Sequence, residues 1–128
     1  MATETLLQII MQHLQGNGYT VYAPTNAIGV VKEPYVVVAY LGSAKHQSFS
    51  TIIERYSVIL FLPHRLYSEL QAHQNTLEDT MRKLHPQVIY EDYGGVPIYD
   101  DNMKCYQIAT DYKTYKRMNT RITPRTRR

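Results

Sequence analysis

The chain has a single cysteine, no tryptophan and no long apolar run among its 128 residues. Because Cys105 has no second thiol to pair with, an internal disulfide and a cysteine-based zinc knuckle are excluded, and synthesis in a reducing cytoplasm is favoured. The longest apolar stretches, residues 35–41 and 58–62, are far shorter than the roughly 20 residues of a membrane-spanning helix. The start MATETLL lacks the basic segment of a signal peptide. We therefore expect no contact with a membrane.

The short motifs that mark common catalytic and cofactor sites are also missing. The sequence contains no GxxxxGK[ST], GxGxxG, HExxH, GxSxG or CxxC. Its five histidines include no i, i+4 pair, so they form no recognisable zinc-binding pattern with the one cysteine. We predict no catalytic residue, no metal site and no cofactor, and a protein that works by binding and assembly.

Charge is distributed unevenly along the chain. All 11 acidic residues lie in residues 1–112 beside seven bases, whereas residues 113–128 carry seven bases and no acid. The net charge of +3 is therefore the sum of −4 on residues 1–112 and +7 on residues 113–128, so the basic character belongs to the C-terminus and not to the body. We predict a single domain, residues 1–116, followed by a basic C-terminal arm, residues 117–128. The arginines predicted to form an interface or polyanion contact are Arg117, Arg121, Arg125, Arg127 and Arg128.

Helical periodicity appears twice. After a cap at Thr3 or Thr5, apolar residues recur at Leu6, Ile10 and Leu14, and Gly16 to Gly18 ends this first helix. A second helix begins after Pro63, near Arg65, and ends before Pro86. Its apolar stripe comprises Leu66, Leu70, Leu77, Met81 and Leu84.

Strand patterns occupy residues 19–22, 35–41, 51–62, 87–91 and 103–115. The β-branched and aromatic run at residues 35–41 is typical of a strand with both faces covered. The polar residues 42–50 predict a long central hairpin with a projecting tip. The tip residues predicted to form an interface are Lys45, His46, Gln47, Ser48 and Phe49. The element order predicts an α+β two-layer sandwich, with a mostly antiparallel sheet and both helices on one face.

Two stretches carry a resemblance to a known family. ERYSVILFLPHRLYSELQAHQNTLEDTMRKL and YEDYGGVPIYDDNMKCYQIATDYKTYKR, with the element order around them, resemble the tail-terminator (tail-completion) proteins of long-tailed bacteriophages. The resemblance covers roughly residues 1–117 and is one of layout without an invariant motif. The basic arm has no counterpart in the family pattern.

The resemblance implies a non-enzymatic virion protein of the phage neck and tail, made in the cytoplasm of the host bacterium. It implies a homo-oligomer, a hexameric ring, that caps the tail tube protein and joins the tail to the head-completion or stopper protein. DNA could pass through the lumen of such a ring. An acidic body and a basic arm could also attract each other between neighbouring subunits.

Three other interpretations stay open. The first is another head–tail connector or stopper protein. The second is a nucleic-acid-binding accessory protein, in which the basic tail contacts phosphates and some of the 12 tyrosines stack on bases. The third is a small metal-dependent nuclease that uses Asp100, Asp101 and Glu91, with Lys104 nearby.

Overall fold

The computed structural model describes residues 5–25, 29–45, 51–91 and 95–117. They form two α-helices, one 3₁₀ helix and six strands. In chain order these are α1 (Leu6–Gly16), β1 (Val21–Tyr22), β2 (Tyr35–Lys45), β3 (Thr51–Pro63), a 3₁₀ helix (His64–Glu69), α2 (Leu70–Arg82), β4 (Ile89–Tyr90), β5 (Ile98–Asp100) and β6 (Cys105–Arg117).

All six strands belong to one sheet. Its order is β1-β2-β3-β6-β4, and β5 pairs with a different part of β6 from the part that β4 contacts. β1 runs parallel to β2 and the other pairings are antiparallel, so the sheet is mixed. The α+β class predicted from the sequence is confirmed.

Both helices contribute to one hydrophobic core. The spacing of apolar residues in α1 turns Ile10 and Leu14 inward, and both side chains are fully buried. Leu77 and Met81 of α2 belong to the same buried cluster, which also contains Val58 at the centre of the sheet. Because side chains alternate along a strand, this cluster occupies one face of the sheet, and the two helices pack on that face.

Loop residues cover part of the opposite face. Val37, Phe61 and Cys105 cluster there with Val31, which precedes β2. The backbone N–H of Val31 donates to the carbonyl oxygen of Met103 at 2.9 Å, which ties this segment to the turn before β6. Burial raises the pKa of the Cys105 thiol, as expected for a buried apolar side chain.

The prediction that residues 42–45 belong to the connection after β2 is wrong. These residues continue β2, and Lys45 is a strand residue opposite Ile52. The pairing register shifts at Leu41, which forms a β-bulge, and Gly42 adopts φ of 100°, a conformation that suits glycine. Residues 42–45, whose small and polar composition is typical of a turn, therefore extend a strand here.

The start of the second helix also differs from the prediction. His64–Glu69 form a 3₁₀ helix in which Leu66 leaves the helical region, with φ of −101° and ψ of 20°, and α2 begins only at Leu70. A 3₁₀ turn is a common way for a chain to enter an α-helix. β5 was not predicted at all, and β6 continues to Arg117, so the first residue assigned to the basic arm lies in a strand.

Candidate functional site

β2 presents a long uncovered edge. β1 pairs with Val36 and Val37 only, and within the described ranges no strand pairs with the outer side of β2 beyond them. Two large side chains on this stretch are exposed: Tyr40 is 49% exposed and Leu41 is 52% exposed. We call residues 38–45, with Tyr40 and Leu41 as their large exposed apolar side chains, the β2 edge patch.

The other edge of the sheet carries a second apolar surface. β5 pairs with β6, and none of the other described strands lies on its outer side. Val96 is 78% exposed and Ile98 is 66% exposed. The ring of Tyr106 lies between those of Tyr67 and Tyr99, with centroid distances of 4.8 and 5.2 Å. We call Val96, Ile98, Tyr67 and Tyr99 the β5 edge patch.

The position of the β5 edge patch depends on a close backbone approach. Gly95 donates its N–H to the carbonyl oxygen of Ala109 at 3.1 Å, and a Cβ atom at Gly95 would lie 2.6 Å from that oxygen. Glycine is therefore required where the chain joins the edge of β6. The patch was missed by the sequence predictions, although the apolar letters VPIY at residues 96–99 were a signal.

The two patches are different surfaces at opposite edges, since β3 and β6 lie between them. Asp100 and Asp101 follow the β5 edge patch, whereas Lys45 ends β2. Exposed sheet edges with large apolar side chains are surfaces on which another chain can dock. One molecule thus offers two non-identical contact surfaces.

Two of the interface residues predicted from the sequence, Lys45 and Arg117, lie in strands at the same end of the sheet. The register pairs Lys45 with Ile52 and Thr51 with Arg117, so the segments after β2 and β6 start from neighbouring strand ends. The other predicted interface residues lie outside the described ranges: His46, Gln47, Ser48, Phe49, Arg121, Arg125, Arg127 and Arg128.

A groove of about 790 Å³ opens near this end on the helix-covered face. The first turn of α1 and the segment Pro86 to Gln87 border it, and Tyr40 and Tyr56 contribute rings. The Tyr56 hydroxyl donates to Oε1 of Glu54 at 3.3 Å. Burial, followed by this neighbouring carboxylate, raises the pKa of Tyr56. The groove reaches the β2 edge patch through Tyr40.

The Asp100 carboxylate is engaged in closing a turn. Its Oδ1 accepts the backbone N–H groups of Asn102 and Met103 at 2.9 and 3.1 Å, and its Oδ2 accepts the side-chain amide of Gln107 at 3.1 Å. These bonds fix the turn between β5 and β6.

The acidic residues considered for a nuclease are held apart. Asp101 forms an ion pair with Lys104 at 3.1 Å, and Glu91 forms one with Arg55 at 3.0 Å. Asp100 pairs with Cys105 and Glu91 bonds to Asp111, positions that lie about 20 Å apart along β6. In the part of the chain that the structure describes, no group of three or more histidine, cysteine or acidic side chains could hold a metal ion.

The helices in the described ranges are too short or too polar to cross a membrane. Neither a comparison with protein-family models nor one with curated protein sequences finds a match to this chain.

Proposed function

We propose that this chain is a structural protein that assembles into a closed ring through head-to-tail contacts between its two edge patches. The observation that carries the proposal is the pair of non-identical apolar surfaces at opposite sheet edges, β2 on one side and β5 on the other. A head-to-tail contact uses two different surfaces of each subunit, and it generates a ring when the rotation closes.

The exposed residues have the chemistry of an interface core. Fully burying a leucine, isoleucine or valine side chain contributes about 1.5 to 3 kcal/mol. Leu41 on one patch and Val96 and Ile98 on the other each leave more than half of their surface in solvent in the single chain. Tyr40, Tyr67 and Tyr99 add rings with polar hydroxyls, a side-chain type that is enriched in protein interfaces.

The ring fits the role of a tail terminator of a long-tailed bacteriophage. In that role it caps the finished tail tube and joins it to the head-completion protein, without catalysis or a cofactor. Two features support this assignment: the resemblance of the element order over roughly residues 1–117, and the α+β fold with a mixed sheet and two helices. The long pairing of β2 with β3, from Tyr35–Phe61 to Lys45–Ile52, fits the central hairpin of the proposal. A connector or stopper ring at another level of the neck is the second candidate, because the same two patches serve it equally well.

The test is the oligomeric state of the full chain, measured by native mass spectrometry and negative-stain electron microscopy. We expect a closed ring, of about six copies if the resemblance to tail terminators holds. Leu41→Asp and Ile98→Asp should each yield monomers, since each places a charge in one patch. Ala72→Asp adds the same charge on the exposed side of α2 and should leave the ring intact.

Mixing the two variants distinguishes head-to-tail contacts from two-fold contacts. Leu41→Asp retains an intact β5 edge patch and Ile98→Asp retains an intact β2 edge patch, so an equimolar mixture should form heterodimers. If each variant alone forms dimers, the contacts are two-fold and the ring proposal fails. A wild-type chain that stays monomeric at high concentration would contradict it as well.

A further inference from the structure

The bulge in β2 leaves one large apolar residue outside the pairing of the sheet. The ladder between β2 and β3 runs from the pair Tyr40–Tyr56 directly to the pair Gly42–Arg55. Leu41 therefore has no residue opposite it on β3. β1 pairs with an earlier part of β2, so within the described ranges no strand lies beside Leu41 on the outer side either. More than half of its side-chain surface is exposed to solvent.

The sheet does not need this extra residue for its pairing. If Leu41 were deleted, the two pairs that flank it would become consecutive, as in a regular antiparallel ladder, and all the other pairs of β2 with β3 could be kept. The bulge also places Gly42 at φ of 100°, a conformation that residues with a side chain rarely adopt. A bulge re-aims the side chain of its extra residue. What this bulge provides is therefore an exposed leucine at the edge of the sheet.

The β5 edge patch offers a firmly held apolar surface for such a side chain. Val96 and Ile98 are its two most exposed members. The hydrogen bond from Gly95 to Ala109 and the pairing of Ile98 with β6 hold this segment on both sides. Pro97 between them has no N–H for a new strand pairing, so a partner contacts this segment mainly through side chains.

We propose that Leu41 determines the specificity of the contact between copies, because the bulge directs it onto Val96 and Ile98 of a second copy of this chain. This inference rests on the head-to-tail contact of the proposed function, but not on closure of the ring. Each chain carries both surfaces at opposite edges, so a second copy supplies the apolar partner. Contact of one Leu41 with another would cover only a single side chain. Full burial of a leucine corresponds to roughly tenfold to a hundredfold in the dissociation constant.

Deletion of Leu41 tests the role of the bulge on the full chain. The variant should fold, with a midpoint of thermal unfolding no lower than that of the wild type, because its ladder becomes regular. The dissociation constant of the assembly, measured by analytical ultracentrifugation, should rise by at least about tenfold. A folded deletion variant that assembles as tightly as the wild type overturns the proposal.

Substitutions that keep the length of the chain make the test independent of the deletion. Leu41→Ser retains the bulge and removes the apolar side chain, so it should weaken the assembly as much as the deletion does. Leu41→Met keeps an apolar side chain of similar volume and should assemble much more tightly than Leu41→Ser. Val30→Ser is the matched control, because Val30 is 54% exposed and lies outside both patches. Equal losses in Val30→Ser and Leu41→Ser would indicate a general effect of surface hydrophobicity and overturn the proposal.

Cysteine cross-linking identifies the surface that Leu41 contacts. Leu41→Cys and Ile98→Cys, mixed and then oxidised, should form a disulfide between positions 41 and 98, which peptide mass spectrometry detects, whereas the native Cys105 is buried. A disulfide between two copies of Leu41→Cys would instead indicate a two-fold contact and overturn the proposal. Electron microscopy of the wild type reports the ring separately. Open filaments with the 41–98 cross-link contradict only the proposed ring, and a closed ring that survives deletion of Leu41 contradicts only this inference.

Discussion

At one end of the long strands β3 and β6 both faces of the sheet are covered, whereas at the other end the same strands carry half-buried and exposed side chains. In the covered end, residues 58–63 and 105–110, the side chains of Val58, Leu62 and Cys105 are fully buried. Residues 51–55 of β3 contain no buried side chain, and Lys116 of β6 is exposed. One pair of strands therefore buries apolar side chains at one end and carries half-buried and exposed polar and charged side chains at the other.

This difference follows from what lies above and below the sheet. α2, the 3₁₀ helix and the segment around Val31 and Met103 all pack near the covered end. At the other end the groove lies between the first turn of α1 and the strands. Burial of apolar side chains dominates stability, so changes at the covered end should cost more than the same changes at the other end.

The largest expected effect compares two isoleucines that both face the helices. Ile108 of β6 is 2% exposed, and Ile52 of β3 is only half-buried. We expect Ile108→Ala to lower the free energy of unfolding by about 3 kcal/mol and Ile52→Ala by about 1 kcal/mol. Urea denaturation measures both values. Equal losses would mean that the two ends are packed alike.

Alkaline pH should weaken the fold through a tyrosine at the boundary of the two ends. Tyr112 is 4% exposed, and burial is the main cause that raises its pKa above the usual value. Above pH about 10 the unfolded chain loses this proton while the folded chain keeps it, so the free energy of unfolding falls as pH rises, by about 1.4 kcal/mol per pH unit. Below pH about 10 this group contributes no pH dependence.

Urea denaturation between pH about 8 and about 11 tests this expectation. Tyr112→Phe should reduce the fall in the free energy of unfolding with pH. Part of that fall should remain, because burial also raises the pKa values of Tyr56 and Tyr35. Tyr67→Phe at an exposed position is the control, because Tyr67 is 58% exposed. An unchanged decline in the Tyr112→Phe variant would argue against a buried, neutral Tyr112.

The covered end was the more predictable of the two regions. The alternation of Tyr56, Val58, Leu60 and Leu62 on one strand face, and the helical spacing of Ile10 and Leu14, directly reflect burial, and all six side chains are buried. Periodicity reports which face of an element meets the core. It therefore predicted the core and the α+β class.

The edges and the register could not be predicted in the same way. The residues around Leu41 carry no sequence signal for a β-bulge. The bulge shifts the pairing of β2 with β3 by one residue, so that Lys45 lies opposite Ile52. β5 is three residues long and follows Pro97, so its pairing with β6 is set by tertiary contacts such as the approach at Gly95. The charge of the basic arm was visible in the sequence, whereas the pairing of Lys45 and Lys116 with Ile52 was not.

A smaller effect is expected at the start of α1, above the groove. The Thr5 hydroxyl accepts the N–H of Gln8 at 3.2 Å, and the Gln8 side chain accepts the N–H of Thr5 at 2.9 Å. Loss of this capping box in Thr5→Ala should lower the free energy of unfolding by about 1 kcal/mol. Thr5→Ser keeps the hydroxyl and should remain close to the wild type. Thermal unfolding monitored by circular dichroism distinguishes the two, and a destabilised Thr5→Ser variant would contradict the capping role.

The smallest expected effect comes from the ion pair on the open stretch of β3. Nε of Arg55 lies 3.0 Å from Oε2 of Glu91, and the two side chains are 41% and 23% exposed. Water screens such a pair, so a double-mutant cycle with Arg55→Gln and Glu91→Gln should give a coupling energy of about 0.5 kcal/mol that shrinks as salt rises from about 50 to about 500 mM. Chemical denaturation of the four proteins measures it. A coupling energy near 3 kcal/mol that does not change with salt concentration would instead mean that water is excluded from this ion pair as it is from the covered end. The proposed difference between the two ends of the sheet would then be wrong at Arg55 and Glu91.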